Sequence, residues 1–394
     1  MITVEEALAH VLSLVAPLEA EPTPLIEAAG RVLAAPVVAQ RNQPPFPSSA
    51  MDGYAVAAAE VAPGDRFTVI GESAAGHGFA GQLAEGQAVR IFTGAPVPEG
   101  GQRIVIQEDV RREGDQITVG ETPDTAAYIR PAGGDFAVGH ALPAPRVLSP
   151  TDLSLIAAMN CPVVQATRRP VVALIATGDE LVMPGEAPLP DQIIASNSFA
   201  LKALFEAHGA EVRLLPIARD TRESLTTVFG LTEGADLIVT TGGASVGDHD
   251  LVGDVAQSLG MERAFYKVAM RPGKPLMAGR MGAAAMVGLP GNPVSSIVCA
   301  RIFVVPMLRK MLGLPFGPVP RRTATLAVDI GTNGPREHYM RARIEDGRIT
   351  PFDRQDSSLL TILSSANCLM VRAPGEGPLK AGSPVDYIAF GASD

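Results

Sequence analysis

The stretch from Asp236 to Asp250, read DLIVTTGGASVGDHD, constrains the fold more than any other part of the sequence. It opens with a short apolar run rich in β-branched residues, which is typical of a strand buried on both faces of a parallel sheet. Gly242 and Gly243 follow, and glycine amides can approach and cradle an anion. A strand, a glycine-rich turn and a helix start together form the phosphate site of doubly wound folds. The alternative is a tight turn without a ligand.

Strands and helices alternate on both sides of this stretch. The apolar pattern predicts further strands over Val171–Ala176, Val212–Ile217 and Ala284–Leu289. It predicts helices over Asn197–His208, Thr221–Leu231 and Ser295–Leu312. This alternation indicates an α/β domain with a parallel sheet and helices on both faces. The loops that follow the strands therefore collect at the carboxyl edge of the sheet, where such folds bind ligands.

The chain has 394 residues, which is too many for one hydrophobic core. We therefore expect further domains besides the α/β domain. Thr3–Leu14 is expected to be a helix with a Thr3–Glu6 capping box, and a second helical piece is expected before Gly30. A proline-rich stretch precedes a β-rich lobe with strands expected at Phe67–Ile70, Ala88–Phe92, Ile104–Ile106 and Gln116–Val119. The predicted divisions are a split helical domain at 1–43 and 139–169, an inserted β-rich domain at 44–138, the α/β domain at 170–316 and a β-patterned C-terminal domain at 317–394.

Composition excludes several classes of protein. A net charge of −10 argues against a nucleic-acid partner. Three cysteines lie far apart without a CxxC pair, as expected for core residues in a reducing compartment. The N-terminus has no basic region of a signal peptide, and no apolar run reaches the length of a membrane span. We therefore expect a soluble cytoplasmic protein with no membrane partner.

Acidic residues follow several of the predicted strands and turns. They are Asp52, Asp135, Glu180, Asp220 and Asp250. Carboxylates that converge on one cleft repel unless a hard cation intervenes, and Mg²⁺ prefers carboxylate, water and phosphate oxygens. The alternatives are helix caps at Asp220 and Asp250 and ordinary turn chemistry at Asp52. Several of them, namely Glu180, Asp220 and Asp250, follow successive strands of one sheet, which favours a functional role.

Two cations flank a proline–glycine turn in the segment Met270–Pro275, read MRPGKP. Arg271 and Lys274 on such a rigid turn can bind a small oxyanion. The alternative is an ordinary exposed turn. The sequence thus offers an acidic set and a cationic pair.

Six motifs, in order along nearly the whole chain, carry a family resemblance. They are SAMDGYA at Ser49–Ala55, TGAPVP at Thr93–Pro98, ATGDEL at Ala176–Leu181, TTGGASVGDHD at Thr240–Asp250, MRPGKP at Met270–Pro275 and GLPGNPVSS at Gly288–Ser296. Together they resemble the MoeA family of molybdopterin molybdotransferases, which is related to the gephyrin E domain. Two positions depart from the family pattern: Arg271 stands where lysine is usual, and Ser48 where asparagine is frequent.

The resemblance implies a fold and a reaction. The fold is an elongated homodimer with shared active sites, in which each chain has a split helical domain, a β-rich insertion, a molybdopterin-binding α/β domain and a C-terminal β-barrel. The reaction inserts molybdate into adenylylated molybdopterin, with Mg²⁺-dependent cleavage of the adenylyl phosphoanhydride and release of AMP. The implied protein partners are the upstream adenylyltransferase and downstream molybdoenzyme chaperones.

The resemblance also implies roles for individual residues. A hydrolytic centre linked to Mg²⁺ would comprise Asp52, Thr93, Asp135, Glu180, Asp220 and Asp250, of which Glu180, Asp220 and Asp250 would hold the metal. Pterin-phosphate contacts would come from Gly242, Gly243 and Ser245. The molybdate site would comprise Arg271, Lys274 and Ser295, together with Arg341 and Ser358 from the barrel. Further substrate contacts would come from Pro290 and Pro293.

Two other functions stay open. A molybdopterin adenylyltransferase shares the glycine-rich loop and the α/β domain, but it leaves the motif at Ser49–Ala55 unexplained; an adenylylated product from ATP and molybdopterin would favour it. A non-enzymatic scaffold of the gephyrin E type would be favoured by normal cofactor levels in cells that lack the protein.

Overall fold

The computed structural model describes residues 1–242 and 251–391. The chain forms two compact units: unit 1 comprises Met1–Glu21, Gly30–Ala34 and Ala166–Asp394, and unit 2 comprises Pro22–Ala29 and Ala35–Gln165. The division into four domains is finer than this and stays a prediction. No helix within the described ranges is long and apolar enough to cross a membrane.

A six-stranded sheet forms the centre of unit 1. Its spatial order is Glu211–Leu214, Val171–Ala176, Leu237–Thr241, Ala284–Leu289, Met277–Met281 and Met261–Tyr266. The first four strands are parallel, as predicted, and three of them are buried along almost their whole length. The strand Met277–Met281 runs antiparallel to both of its neighbours, Ala284–Leu289 and Met261–Tyr266, so the sheet is mixed at this edge. A hairpin turn with Gly282 at φ +60° reverses the chain between Met277–Met281 and Ala284–Leu289.

Helices cover this sheet. They are Asn197–Ala207, Arg222–Gly230, Leu251–Ser258 and Pro293–Cys299, the last continuing through a π-helical segment Ala300–Val304 into Val305–Met311. The N-terminal helix Val4–Ser13 packs Leu8 and Val11 into the same core, and its Thr3–Glu6 capping box is confirmed. The helical pattern was therefore read correctly wherever an apolar face recurs at helical spacing.

The second helical piece expected before Gly30 was wrong. The chain there forms the strand Ala20–Pro24, a single 3₁₀ turn Leu25–Glu27 and the strand Val32–Leu33. Pro22 and Pro24 are the physical reason, because proline lacks the N–H that a helix interior requires. The strand Val163–Thr167, which is distant in sequence, pairs antiparallel with Val32–Leu33.

The C-terminal part of unit 1 is the expected β-barrel. Five strands close on themselves in the order Glu337–Glu345, Arg348–Pro351, Arg322–Leu326, Pro384–Ala389 and Cys368–Arg372. Asp346 and Gly347, both at positive φ, form the hairpin turn between Glu337–Glu345 and Arg348–Pro351. The two-residue strand Met270–Arg271 extends this sheet alongside Glu337 and His338, and the helix Leu360–Ser365 precedes the strand Cys368–Arg372.

Unit 2 is built on another six-stranded sheet. The strands, in spatial order, are Arg103–Ile106, Gly53–Val56, Gln87–Ile91, Arg66–Ser73, Gln116–Val119 and Val110–Glu113. All four strands predicted for the β-rich lobe are present. Shorter strands are Val37–Val38 with Ala141–Leu142, Ser48–Ser49 with Ile129–Arg130, and Arg146–Val147, and a 3₁₀ turn spans Gln107–Asp109. The helix Pro150–Ala158 begins at a Ser149–Asp152 capping box.

Candidate functional site

A cleft of about 590 Å³ lies at the carboxyl edge of the parallel strands in unit 1. Three loops that follow strands contribute to it: Glu180 after Val171–Ala176, Gly242 after Leu237–Thr241, and Pro290 to Asn292 after Ala284–Leu289. This is the edge at which the strand pattern predicted a ligand. The loops that surround the cleft therefore come from segments that are far apart in sequence.

Close approach between neighbouring loops explains Gly242. Its φ is +93°, a conformation that L side chains rarely adopt, and a Cβ there would overlap the Thr177 carbonyl oxygen. A Cβ on Gly291 would lie 3.5 Å from the Gly242 Cα. The backbone of the first glycine in the glycine-rich stretch thus packs directly against the loops on either side. Gly243, Ser245 and Asp250, which the sequence also assigned to this region, lie outside the described residues.

Arg219 and Asp179 tie the Glu180 loop to the loop that carries Asp220. The Arg219 guanidinium Nη1 donates to the carbonyls of Gly178, Asp179 and Leu181 at 3.3, 3.0 and 3.0 Å. The Asp220 N–H donates to Asp179 Oδ1 at 3.1 Å. Both Glu180 and Asp220 are exposed, and Glu180 lines the cleft. These bonds set the two acidic loops next to each other.

The cationic turn predicted from Met270–Pro275 lines the same cleft. Arg271 and Lys274 are both exposed there, and the Lys274 carbonyl accepts the N–H groups of Val268 and Leu276 at 3.0 and 3.1 Å. Between the two cations, Gly273 has φ +109° and packs against Cys299. The structure therefore places both cations on a turn whose backbone is firmly held.

Arg336 is a third cation in this cleft, and the sequence reasoning missed it. Its Nη1 donates to the Met270 carbonyl at 3.2 Å, which fixes the side chain beside the cationic turn. It belongs to no motif. The only signal in the sequence is the positive charge of Arg336 directly before the strand Glu337–Glu345.

The barrel contributes the loop from Gln355 to Ser357 to the cleft. Arg341 is fully buried behind this loop, where its Nη2 donates to the Asp356 carbonyl at 2.9 Å. The Gln355 amide bonds both the Arg341 N–H and the Arg341 carbonyl, at 3.0 and 2.9 Å. Burial, together with the positive charge of Arg271, lowers the pKa of Arg341 against the opposing effect of Asp356. Arg341 thus supports the loop.

Four other predicted substrate contacts border the cleft or the pocket next to it. Ser295 is buried and lines the cleft, as does Pro290. Pro293 and Ser358 line the adjoining pocket. The Ser358 hydroxyl donates to Asp356 Oδ1 at 2.7 Å. All of these positions come from loops or helix starts at one edge of unit 1.

His338 lies among arginines near the cationic turn. It is 6% exposed, and its Nε2 has no hydrogen-bond partner among the described residues. Burial lowers its pKa to about 4, and the positive charges of Arg271, Arg341, Arg372 and Arg336 act in the same direction. The imidazole is therefore neutral at physiological pH.

In unit 2 the structure joins Asp52 to Thr93. The Thr93 N–H and hydroxyl both donate to Asp52 Oδ1 at 2.7 Å, and these bonds lower the pKa of the carboxyl. The adjacent Gly53 packs so closely on the Val105 carbonyl that no Cβ fits. Asp135 lies in a different loop, exposed, with its N–H bonded to the Gln43 carbonyl at 2.9 Å. Asp52 and Thr93 thus form a hydrogen-bonded pair.

The metal trio predicted from the sequence is not complete within the described residues, because it includes Asp250. Within residues 1–242 and 251–391, no three His, Cys, Asp or Glu side chains come together as possible metal ligands. Glu180 and Asp220 remain as two carboxylates on adjacent loops.

Three family models match the chain in succession. They are the MoeA N-terminal region (domain I and II) at residues 2–160, a probable molybdopterin binding domain at 173–310, and the MoeA C-terminal region (domain IV) at 323–390. Together they span both units.

Curated relatives and solved structures give the same similarity over the whole length. The molybdopterin molybdenumtransferase of Nostoc sp. is 36% identical, over 90% of this chain and 85% of the relative. The enzyme of that name from Haemophilus influenzae is 33% identical over 99% of both chains. The solved structure of a molybdopterin biosynthesis MoeA protein from Pyrococcus horikoshii OT3 is 26% identical, with a TM-score of 0.82, over 99% of this chain and 100% of that one.

Proposed function

The chain belongs to the MoeA family of molybdopterin molybdenumtransferases, and from that premise we propose that it inserts molybdate into adenylylated molybdopterin and releases AMP. The observation that carries this proposal is the cleft at the sheet edge. Arg271, Lys274 and Arg336 line it together with Glu180. A cleft with three cations suits a substrate that carries several phosphate charges. It also suits a second substrate that is a small dianion, as molybdate is.

The cations account for the chemistry of the cleavage step. Breaking the adenylyl phosphoanhydride leaves negative charge on the departing phosphate, and preorganised positive groups stabilise charge that develops in this way. Lys274 and Arg271 lie on a turn that is fixed by backbone hydrogen bonds and by close packing at Gly273. Little reorganisation is then needed when the oxyanion binds.

Mg²⁺ fits the donor set. Mg²⁺ is commonly held by one or two carboxylates together with substrate phosphates, and Glu180 and Asp220 supply two carboxylates on adjacent, mutually bonded loops. Asp250 is the third donor that the family resemblance implies. The ion, when bound, would neutralise charge on the phosphoanhydride. Arg219 and Asp179 would hold the two carboxylate-bearing loops in register.

We place the reaction in the cytoplasm. Cys161, Cys299 and Cys368 are buried free thiols, which suits a reducing compartment.

The test is AMP release from adenylylated molybdopterin with and without molybdate. We expect release to depend on molybdate, and Lys274→Ala to raise the molybdate concentration required more than it weakens pterin binding. Lys380→Ala is the matched control, because Lys380 is an exposed lysine paired with Asp329. An unchanged molybdate dependence in Lys274→Ala would count against the anion site. Formation of an adenylylated product from ATP would instead favour the adenylyltransferase.

We also propose that each active site takes residues from two chains of a homodimer. Asp52 and Thr93 lie in unit 2, whereas Glu180 and Asp220 lie in unit 1. A two-fold dimer forms both shared interfaces at once. Mixing Asp52→Ala with Glu180→Ala after dissociation gives about half mixed dimers with one intact site each, so about a quarter of wild-type activity should return. No recovery, with mixed dimers shown to be present, would exclude the shared site.

A further inference from the structure

Arg90, in the strand Gln87–Ile91 of unit 2, bonds to both segments of chain that hold the backbone of Asp52. Its Nη1 donates to the carbonyl of the next residue, Gly53, at 3.0 Å, and its Nη2 donates to Gln107 Oε1 at 2.7 Å. Gln107 is itself bonded to Asp52, because its backbone N–H donates to the Asp52 carbonyl at 3.0 Å. One guanidinium thus ties the peptide on each side of the Asp52 carbonyl to the sheet.

Two aromatic rings restrict the direction of the Arg90 side chain. Tyr54 lies directly opposite Arg90 in the antiparallel pair, so both side chains are on the same face of the sheet. The guanidinium carbon lies 5.0 Å from the centroid of the Tyr54 ring and 4.8 Å from that of the Phe92 ring. Aromatic faces attract a cation, so these contacts limit the positions that the planar fork can take.

The carboxylate of Asp52 is fixed separately from its backbone. Both hydrogen bonds from Thr93 end on Asp52 Oδ1, and Oδ2 has no hydrogen-bond partner among the described residues. Oδ2 is therefore the atom that a substrate or a metal ion could contact. Two supports set its position: Thr93 holds the side chain, and the bonds from Arg90 and Gln107 hold the backbone.

Arg90 also acts on Asp52 through its charge. The Gly53 carbonyl and the Gln107 amide are uncharged acceptors, so these bonds do not neutralise the guanidinium. The Thr93 hydrogen bonds have the largest effect in lowering the pKa of the Asp52 carboxyl, and the positive charge of Arg90 lowers it further. Asp52 is therefore ionised at neutral pH.

We propose that Arg90 is a positioning residue, which acts through Asp52 by holding its carboxylate where the reaction needs it. The inference rests on the proposed function, in which Asp52 belongs to the hydrolytic centre. Displacement of such a group by about 1 Å can lower a rate about a hundredfold. Loss of the Arg90 fork should therefore slow AMP release. It should leave the molybdate requirement unchanged, because the cations of the anion site belong to unit 1.

The test is a double-mutant cycle on the single-turnover rate of AMP release, with Arg90→Gln and Asp52→Asn. Arg90→Gln should lower the rate at least tenfold in the wild-type background. In Asp52→Asn, where no carboxylate remains to be positioned, it should lower the rate less than twofold. Arg103→Gln is the matched control, because Arg103 bonds the carbonyls of Ala59 and Thr125 at the other end of the paired strand. It should lower the melting temperature and change the rate by the same factor in both backgrounds.

Hydrogen exchange resolved to single amides gives a readout that does not depend on activity. The N–H groups of Thr93 and Gln107 both donate to Asp52, so their exchange reports whether Asp52 stays in place. Relative to other amides of the same sheet, both should exchange at least tenfold faster in Arg90→Gln, and this ratio should be unchanged in Arg103→Gln. If Arg90→Gln does not fold, Arg90→Lys takes its place in both measurements, since it keeps the charge but loses the planar fork.

Equal losses of rate in the two Asp52 backgrounds, or unchanged exchange of both amides, would refute the positioning role. Wild-type protein that releases no AMP in the presence of molybdate would refute the proposed function instead. Amide exchange would then still decide whether Arg90 holds the backbone of Asp52.

Discussion

Gly273 offers the sharpest test of how the cationic turn is held. It lies between Arg271 and Lys274 with φ +109°, and a Cβ placed on it would overlap the Cys299 sulfur and lie 3.1 Å from the Met270 sulfur. Both sulfur-bearing side chains are fully buried, so neither can swing into solvent. Gly273→Ala therefore adds a methyl group where the backbone conformation and the packing both oppose it.

The expected cost has two parts. The left-handed backbone conformation costs an alanine about 1–2 kcal/mol. Overpacking a filled core costs about 1–3 kcal/mol. We expect Gly273→Ala to lower the free energy of unfolding by about 2–5 kcal/mol in total. Gly282 is the matched control, because it has φ +60° but nothing within 4 Å of its Cβ position, so Gly282→Ala carries the conformational part alone.

Urea denaturation followed by circular dichroism measures both variants, and Cys299→Ala completes a double-mutant cycle. Removing the sulfur relieves the overlap but not the backbone strain, so Gly273→Ala in the Cys299→Ala background should cost about 1–3 kcal/mol less than in the wild type. Where Gly273→Ala remains folded, AMP release should require more molybdate. Equal losses for Gly273→Ala and Gly282→Ala, or no coupling with Cys299→Ala, would refute the packing argument.

Three further predictions follow from buried or bonded charges. Burial opposes ionisation of Asp236, but two hydrogen bonds from Arg168 at 2.6 and 2.7 Å outweigh it and lower the pKa of the carboxyl. The ion pair therefore stabilises the fold above about pH 4, and this stabilisation is lost as the pH falls below that value. Asp236→Asn should lower the free energy of unfolding by about 2 kcal/mol in urea denaturation at pH 7 and remove this acid sensitivity. In the folded protein the pKa of His338 is about 4, so on acidification the unfolded chain binds a proton at this histidine before the folded protein does. The free energy of unfolding therefore drops by about 3 kcal/mol as the pH falls from about 6.5 to 4. His338→Gln should make the melting temperature less dependent on pH across that range. Arg219→Ala should lower the rate of AMP release about tenfold or more with little change in the melting temperature, because it frees the Glu180 loop, and Arg219→Lys should recover part of the rate. A steep pH profile in His338→Gln, or wild-type turnover in Arg219→Ala, would contradict these expectations.

Much of the fold follows from local signals that the sequence carries in full. The strands Val171–Ala176 and Ala284–Leu289 have the bounds expected from their apolar runs, and the helix Val4–Ser13 begins at its capping box. The antiparallel edge strand Met261–Tyr266 was missed because three of its six residues are exposed and give it no continuous apolar run. Its place in the sheet depends on pairing with Met277–Met281, which no local pattern encodes.

The candidate site was predictable to the extent that its residues lie in motifs. Glu180, Gly242 and Lys274 each follow a turn signal, and all three line one cleft. Arg336 carries no such signal, since its position depends on how the barrel packs beside the cationic turn. Side chains brought in by long-range packing are those that a single sequence does not reveal.

The assignment of Arg341 to the molybdate site stays a prediction, and the structure shows where its charge lies. As a member of the molybdate site it would face the ligand, yet it is fully buried and donates to the Asp356 carbonyl, while the Gln355 amide bonds its backbone on both sides. Its Nε and Nη1 atoms have no hydrogen-bond partner among the described residues, so the buried cation keeps part of its charge uncompensated. That charge lies directly behind the loop that lines the cleft, and in surroundings of low polarity it is weakly screened. Arg341 can therefore both hold the loop in place and raise the positive potential that a bound oxyanion experiences.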